Sequence, residues 1–390
     1  MDRLIPEGIP EAYGPSLTPI GPRAGGIVRQ MSQPRDQKES ANKMHDHSAT
    51  QDRTPMQEKS TVTRRSLRIQ GLSERIPWFT GLPILAVMTV VLFGLAAQQA
   101  WIAHPATGAA TTLIVALLLL TLLREAQTLS EIEPSTLVSA PAFYNFTGVV
   151  GGALTTFVLS VDLGLGAVVA AGVIGLLGAL IFPEQGVPIY CGAFVGMVSP
   201  DLLNSLPHVM LAAVIAGLVF VLSTGVLDGF GGKLGTIAFT GTVVAPLLLQ
   251  CEFCPADVPP VPVAWQIMAT SVAAGVGTYW VSITLGHGAV VGSSVVGGVV
   301  AGLLLPAVLP ETGPLLAVVA ICASFTGMSS PKRIPNYLWM TLASVATGIV
   351  FIYTQPVLGG AGGKLGTIAF GSAMFAFTVK ALLNQIRVRD

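Results

Sequence analysis

Charge is what this sequence lacks. Lys, Arg, Asp and Glu make up 10% of its 390 residues, where soluble domains carry roughly 25%. The shortage is uneven. Residues 1–75 hold 12 of the 20 basic and 9 of the 20 acidic side chains, and the 315 residues that follow hold 8 and 11. So few charges cannot cover a water-facing surface, which excludes a soluble fold for the body of the chain. The formal net charge of 0 averages a polar tail with an apolar body. No nucleic-acid partner is expected.

Cysteine is also scarce. Four residues are too few for a disulfide framework. Cys191 and Cys322 lie in apolar segments and read as small packing residues. Cys251 and Cys254 form a lone Cys-x-x-Cys with no histidine nearby, a weak signal for zinc, which wants four ligands. It fits a local disulfide or two free thiols. Signature motifs of catalysis are missing too. Lys233 and Lys364 are not followed by Ser or Thr, so neither ends a P-loop. No His-Glu-x-x-His and no Gly-x-Ser-x-Gly occurs. Enzymatic activity, a cofactor and a bound metal are therefore not expected.

What is abundant is apolar sequence, at 52% of residues, and glycine, with 44. The chain reads as an all-α integral membrane protein. Residues 1–75 lack apolar periodicity and are expected to be a disordered cytoplasmic tail. No apolar run follows the first Met, so no signal peptide is expected. His45-Asp46-His47 in this tail is at best a weak metal ligand set. Arg64, Arg65, Arg68 and Arg75 form a basic run before the first apolar segment, which places this side in the cytoplasm against anionic lipid. Leu82–Ala103 and Ala109–Leu123 make two N-terminal spans (domain 76–125), followed by a polar connection (126–145) containing Glu131 and Glu133.

An internal duplication follows. Gly231-Gly232-Lys233-Leu234-Gly235-Thr236-Ile237-Ala238-Phe239 recurs as Gly362-Gly363-Lys364-Leu365-Gly366-Thr367-Ile368-Ala369-Phe370, 131 residues later. The segment from Cys191 to Pro200 matches that from Cys322 to Pro331 at the same offset. The first copy spans 146–250 and the second 263–390, joined by a loop at 251–262. Each offers five apolar segments, giving about 12 spans. Five is odd, so the copies would be inverted. Lys332, Arg333, Arg387 and Arg389 then fall in the cytoplasm with both termini, as the positive-inside rule asks. Parallel four-helix copies with Val187–Leu203 and Pro314–Ser330 re-entrant satisfy the same rule. The five-span arrangement is preferred because each disputed segment has 17 residues between polar or proline borders.

In outline, two inverted five-helix copies resemble urea and ammonium channels and several secondary transporters. None of their motifs is found, so the resemblance covers architecture alone and carries over no site residue.

Two sets of paired residues are candidates for function. Gly232, Lys233 and Thr236, with Gly363, Lys364 and Thr367, stand where a turn meets a helix start. Free N–H groups there favour anions, and a lysine adds a full charge. The plain alternative is that the lysines snorkel and the glycines turn the chain. Asp228 lies five residues before Lys233 and is placed to pair with it; Gly359 stands at its counterpart. Phe194 and Phe325, with Ser199 and Ser330, would line a symmetric constriction if the helices break near Gly196 and Gly327; otherwise they pack in the core. The expected function is a membrane channel or secondary transporter for a small solute, a small anion or carboxylate first, a neutral solute or ammonium-like cation second. An intramembrane enzyme or a scaffold subunit is the reading of a different class. The partners expected are a small-molecule or ion substrate, membrane lipids and further copies of the chain, since the first two helices suit a homo-oligomer contact. The expected location is the plasma (inner) membrane.

Overall fold

The computed structural model describes residues 76–128 and 139–389. The proposed tail, with His45-Asp46-His47 and the basic run ending at Arg75, lies outside the described residues, as do Glu131 and Glu133.

Among the described residues every regular element is a helix. We number them α1 (Ile76–Ala103), α2 (Pro105–Thr128), α3 (Ala140–Asp162), α4 (Ala167–Ile181), α5 (Gly186–Gly196), α6 (Leu206–Leu222), α7 (Lys233–Leu249), α8 (Val261–Thr284), α9 (Ala289–Val308), α10 (Gly313–Gly327), α11 (Tyr337–Thr354) and α12 (Lys364–Arg389). Seven of these, α1, α2, α3, α8, α9, α11 and α12, are long and apolar enough to cross a membrane; the other five are apolar but shorter. The surface carries Leu180, Phe182, Leu248, Trp265, Leu304 and Leu338 exposed, while threonines and serines such as Thr89, Thr242, Ser271 and Thr347 are buried. That distribution suits lipid outside, where an exposed leucine costs nothing. The molecule is an all-helical, membrane-embedded protein.

Local chemistry sets the boundaries. The Ser139 hydroxyl accepts from the Ala142 N–H at 3.3 Å, and Pro141 occupies the first turn of α3. The helix therefore begins well before Phe146, inside the stretch read as a polar connection. Asn336 caps α11 in the same way through the Trp339 N–H. The last turns of α3 and α8, Val158–Asp162 and Trp280–Thr284, are both π-helical, and both lead into a Gly-x-Gly with positive φ, at Gly164 and Gly166 and at Gly286 and Gly288. This correspondence, at an offset of 122, extends the internal match beyond the two strings legible in sequence.

The segment expected as Val187–Leu203 is helical only to Gly196. Its 11 residues rise roughly 16 Å, about half of a bilayer core. The helix stops because the Ser199 N–H turns away to the Gly360 carbonyl, 2.8 Å off in the second copy. Its counterpart α10 stops at Gly327, and Ser330 N–H donates to the Gly229 carbonyl at 2.9 Å.

Close backbone approaches give the helix directions. Gly148 abuts Pro188, Gly152 abuts Ile189 and Gly192 abuts Val149, so α5 runs parallel to α3. Gly186 meets Ala179 and Gly178 meets Ile189, so α4 opposes α5. Phe146 packs on Gly217, whereas Leu154 shares a groove with Leu206 and Met210, so α6 opposes α3. Lys233 reaches Ser223 and Gly241 meets Ala212, so α7 opposes α6. In the second copy Gly275 abuts Ala323 and Thr278 abuts Gly327, so α10 parallels α8 as α5 parallels α3.

Candidate functional site

The two Gly-Gly-Lys strings meet each other. A methyl group at Gly235 would lie 2.4 Å from the Gly366 Cα, and one at Gly366 would lie 2.5 Å from the Gly235 Cα. Gly232 lies against the Gly366 carbonyl and Gly363 against the Gly235 carbonyl. Gly231 faces the carbonyls of Phe325 and Thr326, and Gly362 those of Phe194 and Val195. Every contact thus occurs twice with the copies exchanged, the signature of an approximate two-fold relation. The N-terminus of α7 faces the broken end of α10, and the N-terminus of α12 faces the broken end of α5.

Each approach segment follows the same path. Leu227, Gly229 and Gly232 have positive φ, as do their counterparts Leu358, Gly360 and Gly363. Gly232 and Gly363, at φ 88° and 78°, are required twice over, by backbone angle and by the space a side chain would need. The Lys233 ammonium donates to the Ser223 carbonyl at 2.8 Å and pairs with Asp228 at 2.5 Å. The Lys364 ammonium donates to the carbonyls of Thr354 and Val357 at 3.2 and 3.0 Å. Ser223 and Thr354 stand at the C-terminal ends of α6 and α11, and Val357 in the turn beyond α11. Each lysine therefore clasps the turn it stands in. Lys364 is 7% exposed and Asp228 65%. The Cys191 and Cys322 thiols repeat the exchange, donating to the carbonyls of Leu234 and Leu365 at 3.3 and 3.2 Å.

Phe194 and Phe325 come together, with centroids 4.4 Å apart, and Tyr190 stands edge-on to Phe194 at 4.3 Å. Two cavities open at the Gly-Gly-Lys turns, and of the two only the first reaches Phe194. The first, about 460 Å³, is lined by Val187, Phe194, Asp228, Lys233, Leu234 and Met328 among others. The second, about 570 Å³, is lined by Val318, Met197, Ser199, Gln355, Lys364 and Leu365 among others. Val318, Met197, Lys364 and Leu365 are the counterparts of Val187, Met328, Lys233 and Leu234. The cavities are thus two versions of one feature. Thr236 and Thr367 are buried and line neither; the Thr367 hydroxyl reaches the Gly363 carbonyl at 3.4 Å, and that of Thr236 has no partner. Ser330 also lies off the cavity wall, and its N–H holds the Gly229 turn.

Two groups went unread in the sequence. Arg333 makes a bidentate pair with Glu125 at 2.6 and 2.8 Å, donates to the Asp228 carbonyl at 3.0 Å, and lies over the Phe230 ring at 4.3 Å. Leu202 stands at its counterpart, so this network serves one cavity mouth alone. At the other mouth, Cys254 forms a backbone bridge to Gly359. Cys251 and Cys254 are free thiols. The second group is a chain of hydroxyls running from Tyr190 through Ser293 to Ser324. Adjacent serines inside an apolar run were its signal, because polar groups at membrane depth carry a cost.

No family model, no curated protein and no solved structure matches the chain. The reading of function rests on the geometry above.

Proposed function

We propose that the protein is a channel or secondary transporter for a small solute, with the path between the two copies. One observation carries this reading. Two cavities are built from counterpart residues of the two copies, each walled by the lysine of one Gly-Gly-Lys turn, and the first reaches Phe194, whose ring packs on Phe325. Alternating access or a gated pore needs such a pair of vestibules around one barrier. The helix directions support five passes per copy, α5 and α10 being short ones, and hence inverted copies. Arg333, Lys380 and Arg387 then share the cytoplasmic side with both termini, in the plasma (inner) membrane.

The anion reading rests on Lys233 and Lys364. Both ammonium groups are engaged by their own turns, and Asp228 balances one of them. That arrangement favours an uncharged solute over an anion. An intramembrane enzyme or scaffold has no comparable support.

The test is flux in proteoliposomes. Phe194→Leu with Phe325→Leu trims the barrier while keeping apolar packing, and we expect solute flux to rise several-fold over wild type. Lys233→Met with Lys364→Met would lower flux of formate and acetate alone if the anion reading holds, and would leave selectivity unchanged on the reading favoured here. Flux equal to empty vesicles for wild type and the double leucine variant alike would end the transport proposal.

A further inference from the structure

The hydroxyl chain lies where α5, α9 and α10 meet. The Tyr190 hydroxyl meets the Ser293 hydroxyl at 2.9 Å, which meets the Ser324 hydroxyl at 2.7 Å, which donates to the Ile321 carbonyl at 2.7 Å. Ser294 adjoins them, with its buried hydroxyl beside that of Tyr190. All four side chains are fully buried. Glycines make room for them. A methyl at Gly175 would strike the Tyr190 ring and the Ser294 Oγ, and one at Gly297 would strike the Ser324 Oγ.

The fold itself does not ask for these hydroxyls. Their counterparts in the other copy are Ile321 for Tyr190, Ala193 for Ser324, and Ala171 and Gly172 for Ser293 and Ser294. The same junction is therefore built without polar side chains on the other side of the two-fold relation. A hydroxyl at membrane depth is costly to keep. Ser294 carries that cost where its counterpart is a glycine.

Position says what the group faces. Val187 and Phe194 line the first cavity, and Tyr190 lies between them at helical spacing on the same face of α5. Ala289 and Val290 line the same cavity, and Ser293 and Ser294 follow one turn deeper on α9. None of the four lines that cavity; they stand within one helical turn of its lining residues, with the Tyr190 ring against both phenylalanines. Ser294 also begins a π-helical stretch, Ser294–Val300, with no equivalent in α4. Such stretches commonly mark functional positions.

We propose that Tyr190, Ser293, Ser294 and Ser324 form the selectivity site for a small uncharged solute bearing both hydrogen-bond donors and acceptors, a simple amide or polyol of a few heavy atoms. The inference rests on the transport reading. Hydroxyls can donate and accept, so they replace the water such a solute leaves behind. They offer no full charge to offset the desolvation of an ion. The Ser294 hydroxyl is the first contact, and the solute enters the chain by displacing the Tyr190–Ser293 bond as the phenylalanines part.

The experiment uses the full chain in proteoliposomes, with stopped-flow uptake of urea, acetamide and glycerol beside formate and methylammonium. Wild type is expected to carry at least one uncharged probe. Ser294→Ala and Tyr190→Phe each remove one hydroxyl. Each is expected to cut that flux about fivefold to tenfold, the worth of one buried hydrogen bond. The melting temperature in detergent should stay nearly unchanged for Ser294→Ala. Unchanged uncharged-solute flux in both variants, with the double leucine variant still raising it, overturns the hydroxyl site and leaves the path standing. Flux of formate or methylammonium alone overturns the solute class. No flux above empty vesicles for any probe overturns the path, and the site with it.

Discussion

Lys233 and Lys364 occupy equivalent places but have different company. Lys233 shares its charge with an exposed aspartate, while Lys364 is buried and held by two backbone carbonyls. An exposed partner adds little, typically under about 1 kcal/mol. A buried carbonyl stripped of its donor costs about 1–3 kcal/mol. We therefore expect Asp228→Ala to change the detergent melting temperature slightly and Lys364→Met to lower it by several degrees. Equal effects would mean that the clasp at Lys364 carries no weight. The pairing of Asp228 with Lys233 was legible from their spacing. The engagement of both ammonium groups by carbonyls was not, because the acceptors lie at helix ends whose positions a sequence does not give.

Hydropathy located the twelve apolar runs that form the helices, since each lies between polar, glycine or proline borders, but α1 and α3 each begin six residues before their runs. It misjudged α5. Met197, Val198, Leu202 and Leu203 are apolar and read as a continuation, yet the backbone there is committed to Gly360 of the other copy. Long-range hydrogen bonds leave no local signature. The same holds for Arg333, which reads as a generic cytoplasmic charge beside Lys332. It joins the α10–α11 turn to Glu125 of α2 and to the Asp228 turn, and its own carbonyl accepts from Lys380 of α12. Arg333→Ala removes the bidentate pair and the stacking on Phe230 together. Breaking a partly buried ion pair of this geometry costs about 3 kcal/mol. We expect a marked loss of thermal stability in detergent and easier proteolysis at the α10–α11 turn. Wild-type stability would show that packing and the Thr121–Thr378 contacts hold α2 without Arg333.

At the scale of the molecule, the proposal of inverted copies makes the two cavities open to opposite sides of the membrane. Thr224 lines the first and Gln355, its counterpart, lines the second. In a background without native cysteines, Thr224→Cys should react with a membrane-impermeant thiol reagent only from the cytoplasmic face, and Gln355→Cys only from the opposite face. Labelling of both from one side would exclude inversion. The duplication was readable from two strings at one offset. The correspondence at an offset of 122 between the π-helical turns was hidden, because the flanking helices share little beyond Gly-x-Gly-Ala-Val-Val.

Gly235 faces Gly366, and neither position has room for a β-carbon. In an ancestor made of two separate identical chains, that residue would have met its own copy. One codon change would have driven two methyl groups into each other, so the site could not be explored one step at a time. Fusion into a single gene lifts the doubling. A change on one side is then felt once, and the halves are free to part company wherever they do not touch their own image. Tyr190 beside Ile321 and Ser324 beside Ala193 are what such freedom leaves behind: a symmetric frame that has acquired a preferred side.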